Sequence, residues 1–584
     1  MRPTMKTLCD ILDRVAADGR SDLLYVRRAD ASSFDAWSAA ELVDQVDRCA
    51  SALLAGGIRR DGRVGLISDN RPEWHVVDFA CHRLGATLVP LFPSLAAAQV
   101  ADCFRRSECR VVVVDSAEQA AKVASVSGSL PELTMLVVLD CAGDARLDMP
   151  LVQWGDFLPA DSDGEFDGPE SVDSVATILF TSGTTGPPKG VMLTHRNLVA
   201  NVEGVMGRSS AGARDVALSL LPLCHVYERT LDYCYLAAGS SIAYSDPAEL
   251  STDLALVRPT LMVGVPRLYE KLREAIEDRV QGSWIYGLAL RVGMERARSS
   301  FAGEPEGLLN KLLHPVVERV VLRKIRAATG GRMRLMSAGG AALDAELNWW
   351  YAAMGWELVQ GYGLTECAPV ISTNSLGDNR IGTVGKPLEN VEVRLAGDNE
   401  IVVRGPSVMK GYLDDPEATA EALHDGWLFT GDVGTIEPGG YLRITDRKKA
   451  ILVTSTGKNV APQAVETAIS ASPWVEQVMA VGNNRRFVAA LIVPVFSRLE
   501  AWAAERGLES DHAALCASGE VRDLFAAELE RLQANLARYE RARAFRLVDR
   551  PFTVAAGHLT PTLKVVRHKV EREFATLIED MYVH

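Results

Sequence analysis

The chain has 584 residues, too many for one hydrophobic core, which rarely grows past about 250–300 residues, so two or three folded units are expected. Apolar residues make up 48% and charged residues 24%, and this balance excludes global disorder. The net charge of −14 argues against nonspecific nucleic-acid binding, which needs a positive face, but a few local donors can still hold a nucleotide.

The N-terminus, MRPTMKTLCDILDRVAADG, has acids where a signal peptide would have an apolar core. Ala40 to Gly56 places Leu42, Val43, Val46, Ala50, Leu53 and Leu54 at helical spacing. Arg63 to Ile67 reads as a buried strand and Trp74 to Leu84 as a helix. Leu88 to Phe92, Val111 to Val114 and Met135 to Leu139 are short strand-like runs. The alternation predicts an α/β fold with parallel sheets covered by helices. The stretch from Gly85 to Ala101 is broken by Pro90 and Pro93, and no run reaches the ~20 residues that cross a bilayer. The ten cysteines form no CxxC pair and read as reduced thiols. A cytoplasmic protein is expected, at most peripheral on the inner face of a membrane.

The acidic Ala160 to Ser174 reads as a surface connection into a strand at Val175 to Phe180. Trp284 to Ala328 is helical and basic, with apolar residues interleaved. It reads either as a packed insertion with a solvated face or as a surface for anionic lipid. Near Thr445 the texture changes to a small α+β pattern, with an amphipathic helix over Glu520 to Leu536. A boundary between Asp446 and Lys449 divides the chain into residues 1–448 and 449–584.

Five segments carry the chemistry. Thr181 to Gly190, TSGTTGPPKG, follows a strand. Gly183 and Gly186 let the backbone approach a ligand, Thr181, Ser182, Thr184 and Thr185 offer hydroxyls, and Lys189 adds charge. This is an anion cradle but not a Walker A loop. In Gln360 to Glu366, QGYGLTE, Tyr362 lies between Gly361 and Gly363, open to stack on a base. Glu366 is a hard oxygen ligand suited to Mg²⁺. In Gly426 to Gly434, Asp432 could accept from ribose hydroxyls or simply cap a turn. Asp446 to Pro462 is DRKKAILVTSTGKNVAP, and Leu559 to Arg567 is LTPTLKVVR, in which Lys564 taken alone is a surface lysine.

In this order and spacing the segments resemble the adenylate-forming enzymes: acyl-CoA synthetases, peptide synthetase adenylation domains and luciferase. SDNRPEW (Ser68 to Trp74), PLCHVYER (Pro222 to Arg229) and SAGGAAL (Ser337 to Leu343) are further matches, and NRPEW, LPLCHVYER, the helical insertion, DRKK and LTPTLKVVR make the chain most like bacterial long-chain fatty acid–CoA ligases. Ala342 stands where a proline is common.

The resemblance implies a large N-terminal domain of α/β-layered subdomains and a small mobile α+β C-terminal domain. It assigns Thr181 to Lys189 to ATP phosphates and Gly339, Gly340, Gly361 and Tyr362 to the adenine, with Gln360 and Gly363 also at the ATP site. Thr365 falls beside the α-phosphate, Glu366 and Thr181 at Mg²⁺, and Asp432 and Arg447 at the ribose. Lys449 would be the hinge and Lys564 the catalytic lysine. His225 would orient or gate the acyl carbonyl, or else be a satisfied core histidine. Trp427, Gly457, Lys458 and Asn459 are candidates for the CoA side. The implied reaction activates a long-chain fatty acid with ATP and passes the acyl group to CoA. The alternatives are a fatty acyl-AMP ligase or other carboxylic acid ligase serving a carrier protein, and a catalytically inactive lipid-binding relative. Acyl chain length and oligomeric state are not written in these motifs.

Overall fold

The structure is a computed structural model that describes residues 4–28, 33–140, 151–162, 165–181, 188–280, 283–448, 452–455, 458–534, 536–560 and 564–582. Two large sheets form the N-terminal portion. The eight-stranded sheet runs in space Gly411–Tyr412, Lys189–Thr194, Val175–Thr181, Thr87–Leu91, Arg63–Ile67, Val111–Ser116, Met135–Asp140 and Leu151–Gln153. Thr87–Leu91, Arg63–Ile67 and Val111–Ser116 are parallel to both neighbours and buried, so they read as largely apolar, Val/Leu-rich runs. The nine-stranded sheet has a parallel centre in which Val216–Ser219, Leu261–Gly264, Leu335–Ala338 and Leu358–Gly363 are successive neighbours.

A five-stranded antiparallel sheet carries Trp427–Glu437 against Tyr441–Arg447. Beyond it, a three-stranded sheet of Val475–Val481, Val488–Pro494 and Ala542–Leu547 is covered by helices. Two apolar clusters sit on opposite faces of this last sheet and share no residue with the N-terminal clusters. The mixed α/β architecture, with a larger N-terminal part and a smaller C-terminal part, is the one expected.

Three local expectations need correction. The amphipathic helix spans Gly519–Leu532, so Leu536 lies beyond it and packs on the same cluster from a loop. Of the strand expected over Ile451 to Thr454, Leu452–Val453 is strand and Thr454 is not, while Ile451 lies outside the described residues. His225 is not at a strand end: it is the N-cap of helix Val226–Ala238. The insertion is helical, over Trp284–Ala302, Leu308–Val317 and Arg323–Ala327, with a π-helical turn at Glu318–Leu322. The nine cysteines among the described residues are all free.

Candidate active site

Ligands of open α/β sheets collect beyond the carboxyl ends of parallel strands. A cavity of about 1770 Å³ opens there, following strands Leu261–Gly264, Leu335–Ala338 and Leu358–Gly363. It gathers side chains from segments far apart in sequence.

Two strands flank the anion-cradle segment. Strands Val175–Thr181 and Lys189–Thr194 are antiparallel and set Thr181 opposite Lys189, both on the cavity wall. The Thr181 hydroxyl donates to the Lys189 carbonyl at 3.4 Å. Ser182, Gly183, Thr184, Thr185 and Gly186 lie outside the described residues. The Lys189 Nζ sits 4.8 Å from the ring centroid of Tyr412, a cation–π contact. The Tyr412 hydroxyl in turn donates to Glu366 Oε1 at 2.8 Å. Burial, and then Glu366, push the Tyr412 phenol above its usual range, so it remains a donor. Strand Gly411–Tyr412 pairs with Lys189–Thr194, which explains how residues far apart in sequence form one line from Lys189 to Glu366. Thr365 and Glu366 occupy a short helical turn, Thr365–Cys367, on the same wall.

A second line faces the first. The Tyr362 hydroxyl donates to Asp432 Oδ2 at 2.7 Å, and Arg447 Nε donates to Asp432 Oδ1 at 2.8 Å. The register of the two antiparallel strands puts Asp432 directly opposite Arg447. Asp432 is buried, and its charge is the largest factor raising the Arg447 guanidinium. Burial, followed by Asp432, holds the Tyr362 phenol well above its usual range. Each Asp432 oxygen keeps a lone pair for another donor.

Gly339, Gly340, Gln360, Gly361 and Gly363 also line the cavity. A Cβ at Gly339 would lie 2.7 Å from the Tyr227 ring, and one at Gly363 would lie 1.9 Å from the Pro369 carbonyl oxygen. Both glycines are therefore required by the protein's own packing. The Gln360 carbonyl accepts from the Asn374 amide at 2.9 Å and fixes the strand leading to Tyr362.

His225 caps its helix through Nδ1, which accepts from the Tyr227 amide at 3.2 Å. Its neutral ring therefore carries the proton on Nε2. Burial first, and then Lys564, lower the ring's pKa to about 4, so it is uncharged at neutral pH. The turn before it is held by Asn70, whose Nδ2 donates to the Leu221 carbonyl at 2.7 Å and whose Oδ1 accepts from the Leu223 amide at 2.9 Å. The helix itself is anchored by Arg229, fully buried, which donates from Nε to Asp78 at 3.0 Å and from Nη1 to Thr177 at 2.9 Å. The SDNRPEW and PLCHVYER segments thus meet, Asn70 on Leu223 and Trp74 under Arg229. Downstream, Leu231, Cys234 and Tyr235 continue the cavity wall as an apolar branch.

Lys564 enters the same cavity from the C-terminal part. The Thr560 amide donates to the Lys564 carbonyl at 2.8 Å, and the Lys564 amide donates to Thr560 Oγ1 at 3.0 Å, which holds the Lys564 backbone in place. Burial, then Arg447, lower its amine's pKa, while Asp432 and Glu366 pull it back up. The lysine therefore shares the electrostatic field of both lines.

Other candidates are not brought in. Trp427 lies away from the cavity, its ring flanked by Arg394 at 4.6 Å and Arg404 at 4.7 Å. Lys458 stands 5.7 Å over the Tyr539 ring, also away from it. Asn459 belongs to the short strand Asn459–Val460, and Lys449 and Gly457 lie outside the described residues. Sequence reading missed Tyr412 and Asn70. The signal for Tyr412 was a Gly-Tyr pair before an acidic, Pro-started helix, Pro416–Ala422. Asn70 sat inside a quoted motif without a partner in view.

The family model of AMP-binding enzymes matches residues 14–413, and that of the AMP-binding enzyme C-terminal domain matches residues 449–584. The chain belongs to the AMP-binding enzyme family. Among similar proteins, the long-chain-fatty-acid–CoA ligase FadD15 of Mycobacterium bovis is 36% identical over 96% of this chain and 94% of that one. Long-chain-fatty-acid–CoA ligase 1 of Homo sapiens is 31% identical over 94% of this chain and 82% of its own. The adenylation domain of a carboxylate reductase from Mycobacterium chelonae superposes with a TM-score of 0.77 at 23% identity, covering 99% of this chain and 91% of that chain. At that identity the likeness speaks for the fold alone. The expected place among adenylate-forming enzymes, nearest to long-chain fatty acid–CoA ligases, agrees with these matches.

Proposed function

We propose that this AMP-binding enzyme activates a long-chain fatty acid with ATP to the acyl-adenylate and transfers the acyl group to CoA, releasing AMP and pyrophosphate. The observation that carries the reading is the entry of Lys564, from the C-terminal part, into the cavity that also holds Glu366, Asp432 and His225. Full-length similarity to long-chain-fatty-acid–CoA ligases supplies the acyl class.

Thr181, Lys189 and the Gly/Ser/Thr segment between them in sequence bind the phosphates. Tyr362 lies against the adenine, and Asp432 with Arg447 takes the ribose hydroxyls. Attack of a carboxylate on the α-phosphate brings two anions together, so the site must supply positive charge where charge accumulates. Lys564 supplies it for adenylation. Neutral His225, at the junction with the apolar branch, orients the acyl carbonyl through Nε2–H. Among the described residues no three His, Cys, Asp or Glu side chains could hold a metal together. A single carboxylate such as Glu366 suits Mg²⁺, which keeps water ligands and binds alongside substrate phosphates. When bound, the ion would neutralise triphosphate charge. The hinge for exchanging the two half-reactions is Lys449, at the start of the C-terminal unit. The protein acts in the cytoplasm.

The test is incubation with ATP, palmitate and CoA. Palmitoyl-CoA and AMP are the expected products. Acyl-AMP accumulating with CoA untouched would point to a carrier-protein acceptor instead. Absence of pyrophosphate exchange with every acid would point to an inactive lipid binder. Lys564→Ala is expected to lose adenylation while largely keeping thioester formation from supplied acyl-AMP, and equal loss of both would contradict the role of this lysine.

A further inference from the structure

The helical insertion presents an apolar face that none of the described residues covers. Leu308, Leu309, Leu312, Val316 and Val320 recur at i, i+1, i+4, i+8 and i+12, one side of a helix. Leu308 is 82% exposed and Leu312 75%. The opposite side, with Asn310, Val317, Leu322 and Ile325, is buried against the nine-stranded sheet's core. Helix Trp284–Ala302 runs back alongside, since Asn310 Nδ2 donates to the Val292 carbonyl at 3.2 Å. Eight residues before Val292, about 12 Å at the helical rise, this pairing brings Trp284 level with the end of the stripe. Trp284 is 77% exposed.

Charge selects the occupant. Lys311, Arg319, Arg323 and Lys324 are exposed along the same segment, and its acid, Glu318, is engaged by Arg326. The chain as a whole carries −14, so this local cationic strip runs against the overall balance. A second copy is a poor partner, because an isologous contact sets the cationic strip against itself. An anionic lipid surface satisfies both features: leucines enter the acyl boundary, lysines and arginines meet phosphate headgroups, and Trp284 sits at the interface. Among the described residues no helix is long and apolar enough to cross a membrane, so the contact is in-plane.

We infer that Leu308–Val320, with Trp284 and the flanking cations, is a docking surface for an anionic bilayer, placed on the enzyme away from the residues of the catalytic cavity. The inference stands whether or not the acyl acceptor is CoA.

The experiment is vesicle co-sedimentation of the full chain with equimolar phosphatidylglycerol and phosphatidylcholine, and with phosphatidylcholine alone. Binding is expected to the first and at least tenfold weaker to the second. Leu309→Gln/Leu312→Gln/Val316→Gln should lose binding at least tenfold. Lys311→Glu/Arg323→Glu/Lys324→Glu should lose it at least as far, since each basic residue near an anionic surface contributes about fivefold. Unchanged turnover of octanoate in both variants serves as the folding control. Trp284→Phe should remove a blue shift of emission on vesicle addition. Equal binding of wild type and both variants, or no binding of wild type, overturns the inference. Concentration-dependent dimerisation lost in the leucine variant, without vesicle binding, would assign the surface to a second copy and overturn it equally.

Discussion

Replacing Tyr362 by Phe removes one hydroxyl and leaves the ring in place. That hydroxyl is buried and bonds the Asp432 carboxylate at 2.7 Å, while Arg447 holds the other oxygen at 2.8 Å. A hydrogen bond to a charged group contributes about 1.5–3 kcal/mol. The bond exists before ATP arrives, so its loss first frees Asp432 to turn. If about 1.4 kcal/mol of it returns as the cost of re-orienting Asp432 on binding, the ATP KM rises about tenfold. The turnover number should change little, because the ring still packs against the base. ATP-dependent pyrophosphate exchange at saturating fatty acid measures both. Asp432→Asn alone and the double variant complete a cycle. Because the residues share one network, the double variant should cost at least about 1 kcal/mol less than the sum of the singles. An ATP KM within twofold of wild type for Tyr362→Phe, together with additive losses, would refute the proposed coupling of base and ribose sites.

Three further outcomes follow from the same geometry. Arg229→Met strands the Asp78 carboxylate, with both side chains fully buried, and should destabilise by about 3–5 kcal/mol in urea unfolding; adding Asp78→Leu should restore most of the loss. Against the upward push of burial, Arg229 and then His82 hold the Asp78 carboxylate well below the usual range, so its contribution is complete above the unfolded pKa and is lost as pH falls through the folded one. The Lys564 amine works protonated and its pKa is depressed, chiefly by burial, so adenylation kcat/KM should fall as pH rises through a value below 10.5, and Lys564→Arg should move that limb beyond reach. Asn70→Ala unties two backbone groups of the turn before His225; kcat should drop at least tenfold with ATP KM within twofold, and a matching rise in ATP KM would show general damage to the fold instead.

Much of the architecture was legible without coordinates because buried parallel strands must be apolar on both faces. Val111 to Val114, bounded by Arg110 and Asp115, is four β-branched residues in a row, and it forms the start of strand Val111–Ser116. Element ends were less legible. The helix after Glu520 stops at Leu532 although the apolar spacing continues to Leu536, because a loop residue can fill the same core position. His225 looked like a strand residue because PLCHV is apolar; its ring instead replaces a serine or aspartate as the cap of the next helix.

The sequence by itself determined the class of chemistry. Glycines, hydroxyls and a lysine after a buried strand specify an anion cradle, and the order of the later motifs specifies what the anion belongs to. Those signals are local, carried by residue types at short spacing. Tertiary structure decided the partnerships. Only the register of two antiparallel strands sets Asp432 against Arg447. Only an added edge strand puts Tyr412 between Lys189 and Glu366. Only the packing of two distant helices gives Asn70 the turn it holds. These contacts join residues from tens to hundreds of positions apart, and hydrogen-bond geometry at that separation is fixed by the assembled sheets, not by any local pattern. The same holds for the leucines at Leu308 to Val320: their spacing announces a helix, but only the fold shows which side was left uncovered.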